Sequence, residues 1–180
     1  MEHADLERIV FDTSTLADRV AQMGRQIATD YHGRTPLLIG VLKGSVVFMT
    51  DLVRQIDLRL EIDFMAVSSY GDSTRSSGEV RIHKDLDRSI EDRHVILIED
   101  IVDTGLTLHF LTKILRARKP ASLALCSLLD KPEARVQTVD LRYVGFTCPN
   151  DFVVGYGLDY RGEYRNLPYI GMLSRHVYGG

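Results

Sequence analysis

The sequence lacks any run of roughly 18 apolar residues, so no segment is fit to cross a bilayer as a helix. It also lacks a basic excess: 22 lysines and arginines stand against 25 acids in 180 residues, with no Lys/Arg cluster, which argues against a nucleic-acid partner. Two cysteines, Cys126 and Cys148, are too few for a disulfide framework and point to a reducing cytoplasm. The opening MEHADLERIV carries charges where a secretion signal needs an apolar run. The six histidines show no metal-ligand spacing, and neither GxxxxGK[ST] nor GxGxxG occurs. No repeat, low-complexity tract or domain boundary interrupts the chain. A content of 44% hydrophobic and 26% charged residues therefore suits one globular domain over 1–180.

What is present centres on HVILIEDIVDTGLTLHFL, His94 to Leu111. An apolar run without alternation reads as a buried parallel strand, His94 to Ile98. Two carboxylates, Glu99 and Asp100, follow it, then Asp103-Thr104-Gly105 and a helix expected over Thr104 to Arg118. LLIGVL (Leu37 to Leu42) and SLALCSLL (Ser122 to Leu129) are two more buried strands, ending at Lys43-Gly44 and near Lys131-Pro132. Leu16, Val20, Met23, Ile27 and Tyr31 share one helical face, after a cap at Thr13 or Ser14 and before a stop at Gly33. A second helix is expected over Ser45 to Ile56.

Leu58 to Ala66 alternates, with Leu58, Leu60, Ile62, Phe64 and Ala66 on the apolar face and Arg59, Glu61 and Asp63 on the polar one. Ser68 to Gly78 is polar apart from Tyr70 and reads as a hairpin loop returning through Glu79 to Ile82. Shorter strands are expected at Glu7 to Phe11, Leu141 to Phe146, Phe152 to Val154 and Tyr169 to Leu173. Alternating strands and helices imply an α/β, doubly wound parallel sheet, whose ligands bind beyond the carboxyl ends of the strands. One crevice there would gather Lys43, Glu99, Asp100 and Lys131.

The unpaired N–H groups and positive dipole of a helix start suit a phosphate, and the turn Asp103 to Thr107 is short enough to hold only one. Carboxylates accept hydrogen bonds from a ribose diol and suit Mg²⁺. Taken alone, the same residues would serve equally well as turn and helix caps.

VILIEDIVDTGLTL resembles the phosphoribosyl pyrophosphate motif of the type I phosphoribosyltransferases. Leu42-Lys43-Gly44, the Ser69-Tyr70 loop, Lys131, and DFVVGYGLDY (Asp151 to Tyr160) followed by Arg165 resemble the hypoxanthine(-guanine) branch of that family, in order and over nearly the whole chain. The resemblance implies a mainly parallel central sheet flanked by helices, a flexible hairpin loop, and a small base-binding hood built from the N-terminal and C-terminal segments. It implies purine salvage: 5-phosphoribosyl transfer from phosphoribosyl pyrophosphate to hypoxanthine, and to guanine, yielding IMP or GMP and pyrophosphate.

Site roles follow from the same resemblance. Asp103 would be the acid/base at the purine N7. Glu99 and Asp100 would hold the ribose hydroxyls, directly or through Mg²⁺ and water. Asp103, Thr104, Gly105, Leu106 and Thr107 would cradle the 5′-phosphate, Leu106 standing where some members carry lysine. Lys43, Gly44 and Arg165 would bind pyrophosphate, with Leu42–Lys43 often cis in the family. Lys131 would donate to the purine O6, Phe152 stack on the ring, and the Val153 main chain meet its edge. Asp159 would hold a second Mg²⁺ beside the base, and Ser69 and Tyr70 would close as a lid. The family is usually a homodimer or homotetramer. A phosphoribosyltransferase for xanthine or another base is the first alternative; an RNA-binding regulator on the same fold would need a basic face.

Overall fold

The computed structural model describes residues 4–69 and 80–179. Two sheets form. The larger has six strands in the order β4-β3-β2-β5-β6-β7: Val80–Lys84, Glu61–Ser69, Leu37–Leu42, His94–Val102, Ser122–Asp130 and Tyr143–Thr147. All pair in parallel except β4, which runs antiparallel to β3 at the edge. The smaller antiparallel sheet joins both ends of the chain in the order β1 (Leu6–Phe11), β9 (Ile170–Leu173), β8 (Val153–Val154).

The apolar runs explain the layering. Side chains on a strand alternate between faces, so a strand that is apolar throughout must be covered on both. Leu38, Ile96 and Ile98 pack with Leu16, Val20, Met23 and Ile27 of α1 (Thr13–Asp30) and with Phe48, Met49 and Leu52 of α2 (Ser45–Val53). Ile39, Val41, Val95 and Leu97 point the other way, onto Leu108, Leu111 and Leu115 of α3 (Leu106–Ala117). A short helix, α4 (Arg175–Tyr178), follows β9. Among the described residues no helix is long and apolar enough to cross a membrane.

Several local expectations shift. Asp12 caps α1 rather than Thr13 or Ser14: its carboxylate accepts from the Thr15 N–H at 2.7 Å and the Ser14 hydroxyl at 2.8 Å. The second helix stops at Val53, and its exit brings Gln55 against α1 at Gly24. β3 starts at Glu61, opposite Leu37, so Leu58 and Leu60 precede the ladder. Ile62 is 53% exposed because β4 flanks β3 only from Ala66 onward, while Met65, on the face expected to be polar, is fully buried. Asp63 on that same face is absorbed by a network, accepting from Lys84 Nζ at 3.3 Å and the Asp87 N–H at 2.9 Å. The residues joining β3 to β4 lie outside the described residues, but the antiparallel pairing of Val67 with Ile82 is that of a hairpin. β7 runs two residues later at its start than expected, and Val153–Val154 belongs to the small sheet.

The central difference concerns β5. It does not end at Ile98 but continues through Glu99 and Asp100 to Val102, paired with β6 as far as Val102↔Asp130. Its pairing with β2 stops at Gly40↔Ile98. From Glu99 onward β5 therefore has a neighbour on one side only. The chain leaves β2 toward β3 and leaves β5 toward β6, so the gap opens at the topological switch point of the sheet.

Alanine is ordinarily the better helix former than glycine, by about 1 kcal/mol. At Gly24 a Cβ would lie 2.5 Å from Gln55 Cβ and 2.7 Å from its carbonyl oxygen. Gly24→Ala should therefore destabilise the protein by about 1–3 kcal/mol, as overpacking does, against its helix propensity. A urea midpoint equal to or above that of the parent protein would contradict this close packing.

Candidate active site

The open side of β5 is lined by two adjoining cavities. One, of about 260 Å³, is bounded by Leu42, Val67, Glu99, Gly105 and Thr107. The other, of about 230 Å³, is bounded by Asp100, Lys131, Phe152, Val153, Leu158 and Asp159. Ile101 and Asp103 border both. Neighbouring residues of a strand face opposite ways, so Glu99 and Asp100 enter different cavities.

Both carboxylates are costly. Glu99 is 7% exposed, and burial, with the Asp100 charge nearby, pushes its carboxyl well above the usual carboxylate range. Burial also pushes Asp100 up to about 6, opposed by the Ile101 N–H, which donates to its Oδ1 at 2.9 Å, and by the charge of Arg165. Lys43-Gly44 reaches the same place from β2. The Leu42–Lys43 peptide is cis, and the Lys43 side chain is exposed. Gly44 rests against the Asp100 carboxylate so closely that any Cβ there would collide with it.

The turn after β5 is held mostly by main chain. Gly105 has φ +81°, which favours glycine, and its α carbon abuts the Gln137 carbonyl. The Thr104 carbonyl accepts from the Val136 and Gln137 N–H groups, each at 2.9 Å. Thr104 Oγ1 accepts from the Leu106 N–H at 3.4 Å. Leu106 borders neither cavity, whereas Thr107 borders the first. One residue that sequence reasoning missed stabilises this turn: Arg135 donates to the Asp103 carbonyl at 3.1 Å and the Val102 carbonyl at 3.3 Å while paired with Asp130. An arginine four places after Lys131, in a segment without periodicity, carries no local signal of that role.

The second cavity takes its walls from three segments. Lys131 follows β6; its N–H donates to the Val102 carbonyl at 2.9 Å, and its ammonium, on a side chain only 7% exposed, donates to the Asp151 carbonyl at 2.6 Å. Phe152 is 37% exposed, and Val153 is anchored in β8 opposite Met172. Asp159 accepts from the Gly162 N–H at 2.8 Å and pairs with Arg165 at 2.7 Å. Arg165 in turn donates to the Gly157 carbonyl at 2.6 Å, and the Gly157 α carbon abuts the Gly44 carbonyl. Arg165 borders neither cavity but is thus tied to the Lys43-Gly44 segment. Ser69 ends β3, and Tyr70 lies outside the described residues.

Among the described residues no three His, Cys, Asp or Glu converge to hold an ion. Glu99 and Asp100 diverge, and Asp159 is already paired with Arg165. Mg²⁺ characteristically takes one or two carboxylates and completes its shell with water and substrate oxygens, and the isolated acids fit that habit.

A switch-point cleft with a phosphate-type turn on one side and a lysine-aromatic pocket on the other defines a class. The chain belongs to the phosphoribosyl transferase family, whose domain matches residues 9–161. Within that family it is similar to proteins named hypoxanthine-guanine phosphoribosyltransferase. That of Bacillus subtilis is 51% identical over 178 residues, covering 99% of this chain and 98% of that one. The crystal structure of a hypoxanthine phosphoribosyltransferase from Staphylococcus aureus superposes with a TM-score of 0.96 at 48% identity, over 99% of this chain and 97% of that one. The bifunctional protein TilS/HprT of Listeria monocytogenes is 51% identical over 98% of this chain, which spans 27% of that longer protein.

The raised Asp100 carboxyl gives a signed expectation. The folded protein keeps a proton there that the unfolded chain, at 3.8, releases, so stability falls as pH rises from 3.8 to about 6. Asp100→Asn abolishes that part of the slope. At pH 8 it should stabilise the metal-free protein by about 2–3 kcal/mol. Thermal unfolding across pH 4 to 8, in buffer without divalent cations, measures both quantities.

Proposed function

We propose that this chain transfers the 5-phosphoribosyl group of phosphoribosyl pyrophosphate to hypoxanthine and guanine, forming IMP or GMP and pyrophosphate, as a cytoplasmic purine-salvage enzyme. The observation that carries this reading is the meeting of the two cavities at Asp103. The sugar phosphate belongs in the first, on the Thr104 to Thr107 turn, where the positive dipole of a helix start suits a phosphate. The base belongs in the second. The bond to be made then forms at their junction, beside Asp103, the one ionisable residue common to both among the described residues. The two buried free thiols suit a reducing compartment, and the assembly is proposed as a homodimer or homotetramer.

Each residue has a physical task in this reading. Lys131, held by the Asp151 carbonyl, directs a remaining N–H at the purine O6; adenine presents an amino donor there and is rejected. Phe152 covers one face of the base, and the Val153 main chain meets its edge. Asp103 exchanges the N7 proton, with its carbonyl fixed by Arg135. As the bond to pyrophosphate lengthens, the ribose gains oxocarbenium-like charge, which the Glu99 and Asp100 carboxylates favour while they orient the ribose hydroxyls. Lys43, Gly44 and Arg165 take up the negative charge leaving with pyrophosphate. Glu99, Asp100 and Asp159 are the residues that would hold Mg²⁺ with substrate oxygens; when bound, it neutralises phosphate charge. Ser69 and Tyr70 would close over the centre to keep water from the activated sugar.

Two measurements decide the reading. With phosphoribosyl pyrophosphate and Mg²⁺, nucleotide should form with hypoxanthine and guanine and not with adenine or uracil; absence of product with every 6-oxopurine would sink it, and a preference for xanthine would move it to the neighbouring specificity. Asp103→Asn should lower kcat by about 10²–10⁴, the range of general acid–base catalysis, with little change in phosphoribosyl pyrophosphate affinity. Full turnover in that variant removes the assigned role.

A further inference from the structure

Phe152 is the aromatic wall of the base cavity, and it does not stand alone. The Tyr178 ring stacks on one of its faces, with centroids 5.0 Å apart and planes 28° from parallel. The Tyr160 ring meets it edge-on, with centroids at 5.6 Å and planes at 86°. Both are favoured aromatic arrangements. Phe152 borders the base cavity; Tyr178 does not.

Tyr178 is also held in register with Phe152. Its helix, α4, leaves the end of β9, where the Leu173 N–H donates to the Phe152 carbonyl at 2.8 Å. The next residue, buried Ser174, donates its N–H to the Asp5 carbonyl at 2.8 Å. The last turn of the described chain is thus tied both to the base wall and to the turn leading into β1.

We propose that Tyr178 is a positioning residue for the purine. It packs behind Phe152 so that the ring is already oriented when the base arrives, and base, Phe152 and Tyr178 form a three-layer stack edged by Tyr160. A ring free to swing must be immobilised on binding, and that cost falls on base affinity. Tyr178 borders neither cavity and reaches the site only through Phe152, so its effect should be confined to the base. This inference rests on reading Phe152 as the base-stacking residue.

The test is steady-state kinetics of Tyr178→Ala, Tyr178→Phe, Phe152→Leu and the double variant Phe152→Leu/Tyr178→Ala. Tyr178→Ala should raise KM for hypoxanthine about three- to tenfold, the span of one aromatic pair, with kcat and KM for phosphoribosyl pyrophosphate within about twofold of the parent. Tyr178→Phe, which keeps the ring, should restore the parent KM. In the Phe152→Leu background the alanine change should add nothing. An unchanged hypoxanthine KM in Tyr178→Ala, where Phe152→Leu raises it, overturns the proposal; so does an additive effect in the double variant. If Phe152→Leu itself leaves hypoxanthine KM unchanged, the stacking role of Phe152 fails instead, and the role of Tyr178 falls with it.

Discussion

Two adjacent carboxylates on the central strand, one buried and one half-buried, are the constraint on which the site depends. Glu99 and Asp100 interrupt a strand that is otherwise apolar on both faces, and both lose hydration there. The sheet accommodates them by parting: β2 stays with β3 beyond Gly40, and β5 stays with β6 beyond Ile98. The pleat then sends one acid to each side. What would be a defect in a closed sheet becomes a cleft with a carboxylate in each chamber and Asp103 where the chambers meet.

Main-chain contacts fix the walls around that cleft. The Thr104 carbonyl is held by two N–H groups, and Arg135 gathers the carbonyls of Val102 and Asp103. On the opposite side Asp159, Arg165, Gly157 and Gly44 form a continuous chain of contacts linking the base wall to the segment after β2. The Tyr156 hydroxyl adds a tie to α2, donating to Asp51 at 2.6 Å. Such positioning by packed backbone leaves side chains available for chemistry while limiting the drift that degrades a site.

Much of this was legible where pattern and physics coincide. LLIGVL coincides with β2 residue for residue, because an apolar run of six between Pro36 and Lys43-Gly44 has one economical structure. HVILI and SLALCSLL likewise locate the neighbouring buried strands. The acids, the DTG turn, Lys131 and Asp159 were legible as a set, through their order along the chain. What was hidden depends on partners distant in sequence. The extension of β5 past its acids is set by β6, not by any local preference. The exposure of Ile62 follows from where β4 begins to pair. Asp12 outcompetes Thr13 as a cap because its carboxylate reaches two donors at once. Arg135, and the stack of Tyr178 on Phe152, join residues that no periodicity connects.

The contact between Gly44 and Asp100 couples two distant stretches of the chain. Two positions 56 places apart share one volume: the carboxylate occupies the space that a side chain at 44 would need. The constraint runs one way. Asp100 can be shortened or neutralised while 44 stays glycine, but a side chain at 44 must first push the Asp100 carboxylate out of its place, so the acid's position in the cleft is set by the absence of a side chain on a different strand's exit.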